Sequence, residues 1–203
     1  MLRVAIATEN QDYDGEIYRF LLQGLLGVEI ERWAPTEPVL FNGWVSVLRQ
    51  ARTYLKLAQR DGIGHALIAI DNDGGRKRHP EHEDSHKVAE QAADKKGGCR
   101  VCLLSHALSQ TWIAGEGMKC IVVPVQMMET WLLTVRGFVF KEATPEERFC
   151  RPVLKRDFFG ESARTTPQKT QMALAVLRLP DALNILRRRP SFQHFERQLA
   201  GWK

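Results

Sequence analysis

Short runs of β-branched and apolar residues alternate along this chain with longer segments whose apolar residues recur every three or four positions, and that alternation restricts the fold more than any single motif. From the N-terminus, "LRVAIAT" reads as a strand, "GEIYRFLLQGLLG" as a helix closed by Gly27, and "VEIERW" as a strand again. After the polar, proline-containing loop "APTEPVLFNG", the segment "WVSVLRQARTYLKLAQRDG" carries helical spacing to a glycine stop, and "HALIAI" is the next strand. Pro80 stands where a helix prefers to begin, and "PEHEDSHKVAEQAADKKGG" predicts a helix that ends in Gly-Gly with lysines in its last turn, as the helix dipole favours. "CRVCLLS" and "KCIVVPV" predict further strands, and "MMETWLLTV" a short buried helix. Strands alternating with helices imply right-handed crossovers. The expected fold is therefore α/β, a mainly parallel, Rossmann-like sheet with helices on both faces.

From about residue 140 the chain becomes polar, charged and poor in strand signals, and helical segments close it. This predicts an α/β core over residues 1–139 and a helical extension, residues 140–203, packed on that core as one compact unit. With 203 residues, 44% of them apolar, the chain can bury one sizeable core rather than two. A net charge of +5 is compatible with an acidic partner such as DNA or RNA without requiring one. No stretch has the build of a signal peptide, and no apolar run reaches the roughly 18 residues that span a bilayer, so the expectation is a cytoplasmic protein with no membrane partner. The cysteines Cys99, Cys102, Cys120 and Cys150 suit a reducing compartment. Cys99 and Cys102, on an expected strand, would point to opposite faces, which favours core cysteines over a metal or redox pair.

The run "ALIAIDNDGG" ends in Asp71 and Asp73, one residue apart. Turn chemistry accounts for Asp and Asn before Gly-Gly, but it does not account for where the other acids fall. In an open parallel sheet, ligands bind beyond the carboxyl ends of the strands. Glu9 follows the first strand, Asp71 and Asp73 follow "HALIAI", and Glu129 follows "KCIVVPV", so four carboxylates are directed to one rim. In extended backbone, residues two apart share a face with α-carbons about 6.5–7 Å apart, close enough for both to reach one hard cation. Crowded carboxylates repel strongly unless a cation such as Mg²⁺ or Mn²⁺ neutralises them. Glu129 has a second reading, as an acid placed favourably at a helix N-terminus.

Other segments carry weaker chemistry. Arg76, Lys77 and Arg78, in "GGRKRH" beside the acids, offer phosphate contacts or form an ordinary basic loop. His82-Glu83-x-x-His86 matches a zinc-hydrolase pattern, although its charged flanks fit a solvated surface helix better. Arg187, Arg188 and Arg189 read as a solvated helix end, and Trp131 and Phe192 as core.

The acids in this arrangement resemble the Toprim catalytic domain of topoisomerases, bacterial primases and overcoming-lysogenization-defect nucleases, which places a glutamate after its first strand and an Asp-x-Asp after a later one. More specifically, the ordered series "AIATEN", "GEIYRFLLQGLLG", "AIDND", "VPVQMMETWLL" and "RRRPSFQHFERQL" is similar to a family of small Toprim-like bacterial proteins related to the nuclease branch. The resemblance implies a divalent-metal-dependent nuclease that hydrolyses phosphodiester bonds in DNA or RNA. Asp71 and Asp73 would hold Mg²⁺ or Mn²⁺, Glu9 would share a metal or take the proton of the attacking water, and Glu129 would complete a second metal position. Lys169 resembles a lysine that such nucleases carry near the metals to stabilise charge in the transition state. The resemblance also implies a partner ATPase in a bacterial defence or mobile-element system, and it leaves open a non-catalytic module that binds nucleic acid or protein. Asn10 stands where the family has glycine, and the insertion "QDYD" separates Glu9 from Glu16, so either glutamate can be the counterpart of the motif acid.

Overall fold

A computed structural model describes residues 1–71, 100–108, 118–122, 124, 128–139, 151–160 and 165–202. Four parallel strands form its sheet: β1 (Leu2–Ala7), β2 (Ile30–Trp33), β3 (His65–Ala69) and β4 (Met118–Val122), in the order β2-β1-β3-β4. Leu2 lies beside Ile30, Val4 beside His65, and His65 beside Met118. The alternation of side chains along each strand divides the core in two. Val4, Ile6, Leu67, Ala69, Cys120 and Val122 face one hydrophobic cluster. Ala5, Ala7, Ala66, Ile68 and Ile70 face the other. Burial on both faces is why these strands read as nearly continuous apolar runs.

Helix α1 (Asp14–Leu26) covers the first face with Ile17, Tyr18, Leu21 and Leu22, and Gly27 ends it at φ 69°, a left-handed cap that favours glycine. Helix α2 (Gly43–Arg60) covers the second face with Val47, Ala51, Leu55 and Ala58. Its Tyr54 hydroxyl donates toward the carbonyls of Ile6 and Trp33, at 3.2 and 3.3 Å, and so fastens the helix to the ends of β1 and β2. Because α1 and α2 lie on opposite faces, the chain reverses its direction of travel across the sheet at β1. The carboxyl ends of β1 and β3 therefore flank a topological switch point, the place where α/β sheets open a crevice.

The segment Arg100–Leu108 is a helix, α3, and not the strand expected from "CRVCLLS". Leu104 and Leu108, four residues apart, are both buried in the α2-side cluster. A short apolar run fits a buried strand and one face of a helix equally well, and here the helical period prevails. The strand geometry that separated Cys99 from Cys102 does not hold for this segment, and Cys99 lies outside the described residues. The expected helix over residues 80–98 also lies outside them.

Helix α4 (Met128–Val135) is the expected short buried helix. The closing part of the chain is helical: α5 (Arg151–Phe159), α6 (Thr166–Leu177), α7 (Ala182–Leu186), α8 (Pro190–Gln198) and a 3₁₀ turn, Leu199–Trp202. It shares the α1-side cluster through Leu154, Phe158, Ala173, Val176, Leu186, Phe192 and Phe195. Trp131, 1% exposed, joins these parts. Its indole N–H donates to Ser191 Oγ at 2.9 Å, and its ring meets Phe192 edge-on at 5.1 Å and Tyr18 edge-on at 6.4 Å. At the far side of the sheet, Gln198 reaches from α8 to β4: its Oε1 accepts from the Ile121 N–H at 2.8 Å and its Nε2 donates to the Ile121 carbonyl at 2.7 Å. No helix among the described residues is long and apolar enough to cross a membrane.

Candidate functional site: an acidic crevice at the switch point

Glu9 and Asp71, 62 residues apart in sequence, meet where β1 and β3 end. The Asp71 N–H donates to Glu9 Oε1 at 2.9 Å. One Asp71 carboxylate oxygen, Oδ1, accepts from the Met128 N–H at 3.1 Å, which places it against the positive end of α4. In the first turn of that helix sits Glu129, a carboxylate only 2% exposed. Arg100, itself buried, lies over the Trp44 ring at 4.5 Å and donates to the Asp71 main-chain carbonyl, so a cation from α3 steadies the strand end behind the acids.

The insertion after Glu9 builds its own turn, and Asn10 organises it. The Asn10 side-chain oxygen accepts from the Tyr13 N–H at 3.1 Å, while the Asn10 N–H donates to Asp14 Oδ2 at 3.1 Å. The Asn10 carbonyl accepts from the Asp14 N–H at 2.8 Å and from the Thr8 hydroxyl at 3.1 Å. This reciprocal pattern closes the turn that leads into α1, and glycine at position 10 would have no side chain to supply half of it. Asn10→Ala should therefore cost about 1 kcal/mol of stability. Urea denaturation measures it, and an unchanged midpoint would show that the Oδ1 contact contributes nothing.

The turn carries Asp14 into the crevice. Desolvation, then the negative charges of Glu129 and Glu9, push the half-buried Asp14 carboxyl up to about 8, against the lowering effects of the Asn10 N–H bond and, after it, the Lys155 cation on α5. The Tyr13 phenol is raised well above its ordinary value, by burial first and then by Glu129, Asp14 and Asp71. The Tyr18 phenol is likewise raised by burial, then by Asp71 and Asp14. Glu129 and Glu9 thus act on Asp14, and Asp71 acts on the two phenols beside it. Asp14 was not among the acids expected from the sequence, since it falls inside the insertion, and Tyr13 and Lys155 were equally unmarked.

Glu16 is committed elsewhere. Arg32 Nη1 contacts its Oε1 at 2.7 Å and Arg19 Nε its Oε2 at 2.9 Å. Burial alone would raise the Glu16 carboxyl, but the hydrogen bonds from Arg32 and Arg19 outweigh it and hold the group below its ordinary value. The second Arg32 amine donates to Gln11 Oε1 at 2.9 Å, tying the turn to β2. Gly15 permits this approach, because a Cβ there would stand 2.7 Å from Arg32 Nη2. Of the two glutamates near the first strand, Glu9 faces the crevice and Glu16 serves an ion-pair network on α1.

Lys169 lies near the start of α6, whose Thr165 and Gln168 form a capping box. Its Nζ sits 5.7 Å from the centre of the Phe159 ring, and that ring meets Tyr13 edge-on at 5.8 Å. Asp73, Arg76, Lys77, Arg78, His82, Glu83 and His86 lie outside the described residues. Among the described residues, no group of three His, Cys, Asp or Glu side chains is disposed to hold a metal ion. The donors present are carboxylate oxygens, the class that hard cations take. Burial first, and then the charges of Glu129 and Glu9, raise the Asp14 carboxyl, and a divalent cation would relieve only the part due to those charges.

No protein-family model, curated protein or solved structure matches the chain.

Proposed function

We propose that this protein is a divalent-cation-dependent nuclease of Toprim-like type, related to the overcoming-lysogenization-defect branch, that hydrolyses phosphodiester bonds in DNA or RNA. The observation that carries the reading is the contact between Glu9 and Asp71, two acids from distant parts of the chain joined at the switch point. Glu9, Asp71 and Glu129, with Asp73, are the residues to hold Mg²⁺ or Mn²⁺. The cation would supply charge neutralisation and an acidified water. Glu9 would take a proton from attacking water, Lys169 would offset charge on the phosphate, and Arg76, Lys77 and Arg78 would contact the backbone of the nucleic acid. A partner ATPase and a role in bacterial defence or mobile-element biology belong to the same reading.

A second reading, a non-catalytic module that binds nucleic acid or a protein partner, is favoured by one observation. Glu9 and Asp71 already accept main-chain hydrogen bonds, from Asp71 and Met128, and such bonds would hold the fold together without any chemistry. Cleavage of supercoiled plasmid, single-stranded DNA and RNA in Mg²⁺ or Mn²⁺, by wild type, Glu9→Ala and Asp71→Ala, separates the two. Metal-dependent cleavage by wild type and at least ~100-fold less by each variant supports the nuclease, since removing a group that acts on the reacting atoms typically costs 10²–10⁴. Equal cleavage by all three refutes it, and binding without cleavage by clean wild type leaves the module.

A further inference from the structure

Helix α2 carries no Asp or Glu over its 18 residues, but it carries Arg49, Arg52, Lys56 and Arg60. Positions three and four apart share one side of a helix, so these cations form a single row about 16 Å long. All of them are exposed, on the side opposite Val47, Ala51, Leu55 and Ala58, which are buried against the sheet. Arg60 meets Asp61 at 3.2 Å. Arg49, Arg52 and Lys56 make no hydrogen bond or ion pair among the described residues. Like charges at this spacing repel and destabilise a helix. Intervening acids would remove the repulsion and α2 supplies none, so the row is suited to an anion from outside the chain.

The row also has a place relative to the crevice. Trp44, in the first turn of α2, lies against Arg100, which donates to the Asp71 carbonyl. Arg49 follows about a turn and a half later, so the cations lead away from the acids along the outside of the α/β core. A straight polyanion matches such a row. About 16 Å of helix lies along roughly five phosphates of one strand of a duplex, whose charges recur about every 3.4 Å of its axis. An anionic lipid surface is a poorer match, because a helix that lies on membranes dips its apolar face into them, and α2 buries that face on the sheet. We propose that the exposed row on α2 is a docking surface for the phosphate backbone of nucleic acid, contacted without reading its bases. The inference deepens the function proposed above, resting on its nucleic-acid partner and on no metal.

Arg49→Gln, Arg52→Gln and Lys56→Gln in one variant test it, against a second variant that loses the same charge elsewhere through Arg178→Gln, Arg188→Gln and Arg197→Gln. The measurements are affinity for a labelled duplex oligodeoxynucleotide in EDTA from about 50 to about 200 mM salt, affinity for phosphatidylserine vesicles, and thermal midpoints without ligand. The α2 variant should bind the duplex at least ~10-fold more weakly at the low-salt end. Its log–log salt slope should be shallower by about 3, one for each lost phosphate contact. The second variant should keep the wild-type slope, and neither midpoint should fall. Equal loss in both variants overturns the inference, because net charge alone would then account for binding. Duplex affinity unchanged by the α2 substitutions also overturns it, and a fall in vesicle binding alone would assign the row to a lipid surface. A midpoint several degrees lower for the α2 variant overturns it as well, since the cations would then be engaged inside the protein. Each of these results leaves the nuclease reading to its own cleavage assay. Weakened duplex binding by the α2 variant, with no cleavage by wild type, upholds the row and favours the non-catalytic module. Wild type that binds no nucleic acid removes the proposed function and this inference with it.

Discussion

Trp131→Ala should destabilise the protein by about 3–5 kcal/mol, the usual range for emptying an aromatic site in a packed core. The indole is 1% exposed and meets three rings from two separate parts of the chain: Tyr18 on α1, and Phe192 and Phe195 on α8. Removing it leaves a void that rigid rings on three sides cannot collapse into, and it deletes the buried bond to Ser191. Trp131→Phe should cost distinctly less, since most of the volume and the ring contacts remain. Urea denaturation of both variants is the measurement. A loss below about 1 kcal/mol for the alanine variant would mean that α4 and α8 are not coupled through this residue.

The second large effect concerns Asp14 and depends on pH. Its carboxyl is raised from an ordinary value of 3.8 to about 8. Between those values the unfolded chain has released the proton and the folded chain keeps it. Folding therefore takes up a proton, and stability falls as pH rises from about 4 to about 8. Below that window both states are protonated, and above it both are ionised with the penalty fully present. Asp14→Asn retains an oxygen for the Asn10 N–H and cannot ionise. The variant should match wild type near pH 4 and exceed it increasingly, by about 2–4 kcal/mol at pH 8. Denaturation midpoints across that range measure it, and parallel pH profiles would show that burial and the acids beside it do not raise the Asp14 carboxyl. Under the proposed function, Mn²⁺ should narrow the difference at pH 8 by neutralising the acids around Asp14.

The sheet was readable because its strands are buried on both faces, so "LRVAIA" and "HALIA" stand out as unbroken apolar runs between segments of helical period. The caps were equally visible, as Gly27 shows. The run "CRVCLLS" misled because it is too short for its period to decide, and the burial of Leu104 and Leu108 on one helix face became apparent only in three dimensions. The meeting of Glu9 with Asp71 was legible from element order alone, since a parallel sheet sends the residues after its strands to one rim. Asp14 and Tyr13 were not, because their positions follow from hydrogen bonds to a single asparagine, and such a turn leaves no periodic trace. The choice between Glu9 and Glu16 also needed the structure: Arg32, on a neighbouring strand, claims Glu16.

The Gln198 amide that grips Ile121 offers β4 one acceptor and one donor, the same pair that an adjoining strand would present. Unpaired main-chain groups at a sheet margin invite pairing with another molecule. With the Ile121 groups already engaged, an approaching chain would have to evict a side chain anchored on a packed helix before it could extend the ladder there. Among the described residues, where β4 is an outer strand, one glutamine thus stands in the way of ladder extension at Ile121.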